Sequence, residues 1–164
     1  MKRLALMVSL VFLLSTAAAQ PFVGVFGSGT GLFKNDGSPV IASLGAQAGV
    51  YNLLGFIGFR GTAEVSVYPD FGFSSPLADA ANYQTTELAG DALLSLGLLG
   101  VKGYVGLGGG VGQLAAGGAL QGRVVAGAEI YGLFAEILPT YWYLMNGSGT
   151  YVDVRARAGF NFSF

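Results

Sequence analysis

Apolar and polar residues alternate along eight segments of this chain of 164 residues. The segments span residues 22–33, 40–51, 57–68, 87–96, 101–108, 120–131, 135–143 and 152–164. Because successive side chains of a β-strand point to opposite faces, alternation with a period of two predicts strands. Glycines leave the register of the first segment open. Most segments are close to the roughly 10 residues that a membrane-crossing strand needs, so the pattern predicts eight long strands.

The charged residues within these segments all fall on the face opposite the apolar stripe. They are Arg60, Glu64, Glu87, Asp91, Lys102, Arg123, Glu129, Glu136, Asp153, Arg155 and Arg157. A cation on the lipid-facing side of a barrel costs about 2–4 kcal/mol at the bilayer midplane, so a membrane barrel keeps its charges inside. A soluble sandwich alternates as well, but its strands are about 5–6 residues long. This favours a wall that faces lipid.

The low charge content supports the same fold class. Charged residues make up 10% of the sequence, whereas soluble domains contain about 25%. A water-exposed face of such long strands would carry many more lysines and glutamates. We therefore predict an all-β fold, an eight-stranded antiparallel up-and-down transmembrane β-barrel. A soluble periplasmic β-barrel is the alternative.

The sequence contains no cysteine and no histidine, which removes several kinds of site. Disulfides, Cys/His zinc sites and catalysis by a thiolate or a histidine base are excluded. We therefore expect no enzymatic activity, no metal and no cofactor. The formal net charge of −1 gives no electrostatic reason to expect nucleic acid as a partner.

The first 19 residues predict a cleaved secretory signal peptide. Lys2 and Arg3 form a positive n-region, and an apolar stretch follows over Leu4–Leu14. The small residues ending in Ala19 contain an Ala-x-Ala cleavage site. The alternative is a single membrane-anchoring helix, although the apolar stretch is too short to span a bilayer comfortably. We expect residues 1–19 to be removed and residues 20–164 to form the barrel domain.

The connections between the predicted strands alternate in length. Tight turns are predicted at 52–55, 97–100 and 132–133, and longer loops at 34–39, 69–84 and 113–118. Outer-membrane barrels have short periplasmic turns and longer extracellular loops. Asn146-Gly147 is typical of a two-residue hairpin turn, so the fourth extracellular connection, between the last two strands, is predicted to be short. With an even number of strands, this pattern predicts that both termini lie on the periplasmic side.

The final segment carries an aromatic signature, in which Phe160, Phe162 and Phe164 alternate up to the last residue. With the predicted signal peptide and the eight strands, it makes the chain resemble small bacterial outer-membrane β-barrels of the OmpA transmembrane domain and OmpX-like group. The resemblance implies an integral protein of the bacterial outer membrane, in contact with its lipids and lipopolysaccharide. It also implies that the barrel-assembly machinery recognises the three phenylalanines during insertion. Because the sequence ends at Phe164, we expect the peptidoglycan-binding domain of OmpA to be absent.

Turn positions predict which charged residues meet inside the barrel. Pairing across the last hairpin places Glu136 opposite Arg157, and a turn that pairs Tyr131 with Phe134 places Glu129 opposite Glu136. Four adjacent strands would then carry, at one level, Lys102, Glu129, Glu136 and Arg157. Two cations beside two carboxylates form a balanced network, which makes buried charges tolerable.

Further lumenal contacts follow from the same pairing. Arg60 is expected to face Asp91, and Arg123 to lie opposite Gly108. Neighbouring glycines would leave room for Arg123 and Trp142 to cross the interior. The predicted lumenal ionic network consists of Arg60, Glu64, Asp91, Lys102, Arg123, Glu129, Glu136 and Arg157.

The level formed by Lys102, Glu129, Glu136 and Arg157 has two interpretations. It is a polar plug, in a protein with a structural or surface-interaction role, or it is the gate of a low-conductance ion pore. An eight-stranded barrel is only wide enough for its own side chains to fill, which favours the plug. Acid–base catalysis by Glu129 and Glu136 is a distant third interpretation, because cations flank both carboxylates.

One predicted loop is a candidate surface site. Phe71 and Phe73 lie between strands and could anchor a partner, or pack on the barrel rim and lipopolysaccharide. We favour packing on the rim, name no surface ligand, and expect a monomer.

Overall fold

A computed structural model describes residues 19–30, 41–53, 55–67, 84–98, 100–114, 117–146 and 149–164. These residues form eight β-strands: β1 Gln20–Thr30, β2 Ile41–Leu53, β3 Ile57–Val67, β4 Gln84–Leu98, β5 Val101–Leu114, β6 Gly117–Ile130, β7 Leu133–Leu144 and β8 Thr150–Ser163. The strands are 11 to 15 residues long, enough for the roughly 9–11 residues that a tilted strand needs to cross a bilayer. Among the described residues, no helix is both long and apolar enough to cross a membrane.

Each strand pairs antiparallel with the next, and β8 pairs with β1, so that the sheet closes into a barrel. Closure leaves no strand edge with a row of unpaired backbone groups. The predicted eight-stranded antiparallel fold is therefore confirmed. Residues 1–18 of the predicted signal peptide, and the loop with Phe71 and Phe73, lie outside the described residues.

The two faces of the wall differ as the alternation predicts. All eleven strand charges face the lumen, and ten of them are at most 6% exposed, with Lys102 partly exposed. The outer face is apolar, and side chains such as Leu44, Leu96 and Leu107 are more than 60% exposed there. In β1, whose register the sequence left open, Phe22 and Phe26 point inward.

The turn between β6 and β7 corrects one prediction. Ile130 pairs with Leu133, so that the turn consists of Tyr131 and Gly132. Both have positive φ, 49° and 89°, the combination that two-residue hairpins use. The predicted pairing of Tyr131 with Phe134 is therefore wrong. Because tyrosine rarely adopts a positive φ, its residue type favours the strand, whereas Tyr131 lies in the turn.

The corrected register changes one predicted contact inside the barrel. Glu129 lies opposite Phe134, and Glu136 lies opposite Gly127, so the two glutamates are not cross-strand partners. The other predicted pairs are confirmed: Lys102 with Glu129, Gly108 with Arg123, Arg60 with Asp91, and Glu136 with Arg157. The predicted loop at 113–118 is shorter than expected, because pairing of β5 with β6 continues to Leu114 and Gly117.

Candidate functional site

Four arginines and four carboxylates form a closed ring of ion pairs across the lumen. The ring runs from Arg60 through Asp91, Arg123, Glu87, Arg155, Glu64, Arg157 and Glu136 back to Arg60. Each side chain in this arginine–carboxylate ring is at most 1% exposed. Its four positive and four negative charges balance, as buried ions must to offset their loss of hydration.

The first half of the ring is joined by short contacts. Arg60 Nε lies 2.6 Å from Asp91 Oδ2, and the two terminal nitrogens of Arg60 donate to the two oxygens of Glu136 at 2.8 and 3.0 Å. Arg123 donates to both oxygens of Asp91, at 2.7 and 2.9 Å, and also to Glu87. Bidentate arginine–carboxylate pairs of this kind fix the relative orientation of the two side chains and also balance their charges.

The second half joins β8 to strands on the far side of the lumen. Arg155 Nη1 donates to Glu87 at 2.7 Å and to Glu64 at 3.3 Å. Arg157 donates to Glu64 at 2.6 Å and to Glu136 at 3.1 Å. Glu64 and Glu87 belong to β3 and β4, so these bonds tie the last strand to the opposite wall.

The ring also makes hydrogen bonds with the three strands that supply none of its charges. Ser28 of β1 donates to Glu64 at 2.5 Å, Gln47 of β2 accepts from Arg60 at 3.0 Å, and Tyr104 of β5 donates to Glu136 at 3.0 Å. All eight strands are therefore held to one set of charges. If a strand slipped by one residue, the side chain that it contributes to the ring would point to the outer face instead of the lumen.

Six of the eight residues predicted for the lumenal network belong to this ring. Lys102 and Glu129 do not: they form a separate pair at 3.1 Å, nearer the end of the barrel where β1 begins and β8 ends, here called the inner end. Asn161 donates to Glu129 at 2.6 Å, and the ammonium of Lys102 lies 3.5 Å from the centre of the Tyr51 ring. The expected single level with Glu129 beside Glu136 is not formed.

Two ring members, Glu87 and Arg155, are missing from the predicted network. The alternation places both on the lumen face, so the signal was present in the sequence. They belong to β4 and β8, which are not neighbours in the barrel, so cross-strand pairing alone does not bring them together. Only the combined register of the closed barrel does.

Apolar and aromatic side chains lie on either side of the ring. Phe22 and Tyr51 stack with ring centres 4.3 Å apart toward the inner end. Trp142 and Tyr151 stack at 5.9 Å toward the opposite, outer end, where Leu114 and Leu144 pack against the indole. The ring is thus enclosed between two aromatic layers.

Glycines on the lumen face of β5 make room for these large groups. A Cβ at Gly112 would lie 2.7 Å from the indole of Trp142, and one at Gly108 would collide with the carboxylate of Asp91. The contact of Gly112 with Trp142 agrees with the prediction that these glycines leave space for the indole. Among the described residues, no group of three or more potential metal-ligating side chains is present.

The three C-terminal phenylalanines lie at the inner end of β8. Phe162 and Phe164 are 56% and 78% exposed, and the rings of Phe160 and Phe162 make an edge contact with centres 4.8 Å apart. They therefore present an aromatic surface on the outside of the wall.

No family model matches the chain, and no curated protein sequence matches it significantly. Two solved structures do. Neisserial surface protein A (NspA) has a TM-score of 0.58 at 14% identity, over 90% of this chain and 100% of that one. Outer membrane protein H (OprH) from P. aeruginosa, solved in DHPC micelles, has a TM-score of 0.51 at 16% identity, over 87% of this chain and 99% of that one. At these identities the likeness shows that the chain shares the fold of these barrels, while membership of the OmpA and OmpX-like group stays a prediction.

Proposed function

We propose that the chain is an integral β-barrel protein of a bacterial outer membrane, with a structural or surface-interaction role and a lumen closed by ion pairs. It is exported by the signal peptide 1–19, and both termini lie in the periplasm. It acts as a monomer and carries no enzymatic activity. Its partners are outer-membrane lipids and lipopolysaccharide, with the barrel-assembly machinery acting on Phe160, Phe162 and Phe164 during insertion.

The distribution of charge supports the membrane location. Among the described residues, every charged side chain faces the lumen and the outer face carries none. Tyr141 and Tyr143, about half exposed near the outer end of β7, and Phe162 and Phe164 near the inner end stand where aromatic girdles flank the apolar band of a barrel. NspA is a neisserial surface protein and OprH is an outer membrane protein, and both support this location.

The closed arginine–carboxylate ring is the main observation that supports a structural role for the barrel. A pore needs a continuous file of water, yet ion-paired side chains that are at most 1% exposed fill the lumen at this level. An opening would have to separate several of these pairs at once, because each arginine contacts two carboxylates. The balanced ring therefore favours a plug that holds eight strands in register.

Single-channel recording of the purified barrel in planar bilayers tests this role. A heat-modifiable gel shift on the same sample first establishes that the barrel is folded. We expect no conductance steps across hundreds of millivolts. Steps that change with Glu136→Gln would overturn the plug and support a gated pore. Lys102→Gln, which alters the separate inner pair, is the matched control.

Membrane location is tested separately, by fractionation after expression of the full chain in a Gram-negative host. We expect the protein in the outer-membrane fraction, resistant to carbonate extraction and shortened by the mass of residues 1–19. Release by carbonate without detergent would support a soluble periplasmic barrel instead.

A further inference from the structure

The backbone ladder between β6 and β7 is interrupted near the middle of both strands. Pairing stops at Arg123 of β6 and resumes at Ala126, which leaves Val124 and Val125 without ladder partners in β7. The register is the same on both sides of this gap, so no residue is inserted there. The ladders of the other seven pairs of neighbouring strands are continuous or shift in register only near a strand end.

A proline in β7 accounts for the gap. With the register unchanged, Pro139 lies opposite Val124. Proline has no backbone N–H, so it removes one hydrogen bond from a ladder in which it takes part. The N–H and C=O positions of one strand residue point to the same neighbouring strand. Because the pairing of Pro139 with Val154 of β8 is uninterrupted, the nitrogen of Pro139 lies on the β6 side.

The carbonyl of Val124 is therefore left without a ladder donor from β7. Val124 and Pro139 both face outward near the middle of the wall, where a bilayer supplies no water to replace the missing donor. Within a sheet, proline is ordinarily confined to an edge strand, a strand start or a bulge. Pro139 occupies none of these, since β7 is paired on both sides. The missing bond weakens the contact between these two strands, here called the β6–β7 seam.

The arginine–carboxylate ring does not reinforce this seam. Arg123, which β6 supplies to the ring, donates to two carboxylates of β4. Glu136, which β7 supplies, accepts from Arg60 of β3 and Arg157 of β8. No ion pair of the ring therefore joins β6 to β7, whereas Glu136 and Arg157 do join β7 to β8.

We propose that the wall opens locally and sideways at the β6–β7 seam while the arginine–carboxylate ring stays closed. Separation of the two strands there breaks no ion pair of the ring, and the ladder already lacks a bond at Val124. Behind the gap, Val125 and Leu138 are fully buried members of one apolar cluster, so the opening has apolar groups on both sides. The inference goes beyond the proposed function, since the plug concerns the axis of the barrel and the seam concerns its wall.

Amide hydrogen exchange, followed by NMR on ¹⁵N-labelled barrel purified from membranes into micelles, tests the proposal. The backbone amides of Ala126 and Ile137 lie beside the gap and pair across the β6–β7 seam. Those of Leu138 and Arg155 pair across the β7–β8 seam at nearly the same height and serve as the reference. Local opening speeds the exchange of the amides that it exposes, so we expect the first two to exchange about tenfold faster or more. Equal protection at the two seams would overturn the proposal.

Two prolines provide matched variants. Pro139→Ala supplies the missing N–H opposite Val124, while Pro21→Ala changes the second residue of β1, where pairing with β2 is uninterrupted. Both variants remove the rigidity that proline gives the unfolded chain, so the difference between them reports the restored donor. We expect Pro139→Ala to slow exchange beside the gap to the rate of the reference amides and to raise the urea midpoint of unfolding. Pro21→Ala should leave the exchange unchanged and should not raise the midpoint.

Unchanged exchange beside the gap in folded Pro139→Ala would contradict the proposal, because the missing donor would then not control the opening of the seam. The comparison of the two seams in the unmodified barrel decides the question even where this variant does not fold. Conductance through the unmodified barrel would defeat the proposed plug without changing exchange at the seam, so the two ideas fail in distinguishable ways.

Discussion

The lumen face and the outer face of the wall are built from the same strands but from opposite kinds of side chain. The lumen face carries eleven charges within the described strands, whereas the outer face carries exposed leucines and valines. On the outer face each residue needs only to be apolar. On the lumen face each charge needs a partner, which comes from a strand as far away as the opposite wall. The outer face therefore tolerates exchange of one apolar residue for another, and the lumen face does not.

Single glycines also differ between the lumen face and the outer face. A Cβ at Gly112, on the lumen face, would meet the indole of Trp142, whereas a Cβ at Gly122, on the outer face, would meet no atom within 4 Å. The lumen-facing glycine is required by packing against a side chain. At Gly122, no described neighbouring atom requires the residue to be glycine.

The largest effect is expected where the lumen face loses one ring member. Arg157→Met leaves Glu64 and Glu136 each without one of their cationic partners in a site closed to water. Removing one partner of a buried ion pair costs about 3–5 kcal/mol, and we expect a loss of that order in the free energy of unfolding. Urea titration in lipid vesicles, followed by Trp142 fluorescence, measures it.

Arg157→Lys is the matched control for this variant. It keeps the charge but cannot donate to both carboxylates as a guanidinium does, so an intermediate loss is expected. An unchanged midpoint for Arg157→Met would mean that the ring does not hold the barrel together.

The next largest effect tests the outer face. Leu107 lies at the middle of β5 and is 69% exposed on that face. Leu107→Arg should reduce the stability of the barrel in a bilayer by about 2–4 kcal/mol, as cations at the midplane do. Leu107→Met is the control and should be close to neutral. If the arginine variant were equally stable, the outer face would not be in contact with lipid.

The glycine contrast predicts a smaller effect. Gly112→Ala adds a methyl group against the Trp142 indole, and overpacking of this kind costs about 1–3 kcal/mol. Gly122→Ala should be neutral or stabilise the barrel by roughly 0.5–1 kcal/mol, since glycine weakens a strand. Urea midpoints of the two variants, measured side by side, check the difference. Equal effects would contradict the distinction between the two faces.

Much of this architecture is predictable from the sequence because it is local. Alternation identifies all eight strands and the face of every charge within the described strands, and turn residues place Lys102 opposite Glu129. The register between β6 and β7 is not predictable in this way, because Tyr131 takes a positive φ that its residue type disfavours. Closure of the ring depends on this register and on contacts between distant strands, such as Arg155 with Glu87. No pattern within a single strand carries that information.

The smallest effect is expected at the inner end of the lumen. Lys102 pairs with Glu129 as the ring arginines pair with their carboxylates, but its side chain is 13% exposed, whereas those of the ring are at most 1% exposed. Asn161 also bonds to Glu129, so that this carboxylate keeps a partner when Lys102 is removed. Because Lys102 is partly exposed and Glu129 keeps its Asn161 partner, Lys102→Met should lower the free energy of unfolding by about 1 kcal/mol, near the upper value for exposed ion pairs and well below that for a fully buried one. Its urea midpoint should stay near that of the unmodified barrel, and a loss as large as that of Arg157→Met would mean that burial of the ring is not what sets its contribution apart.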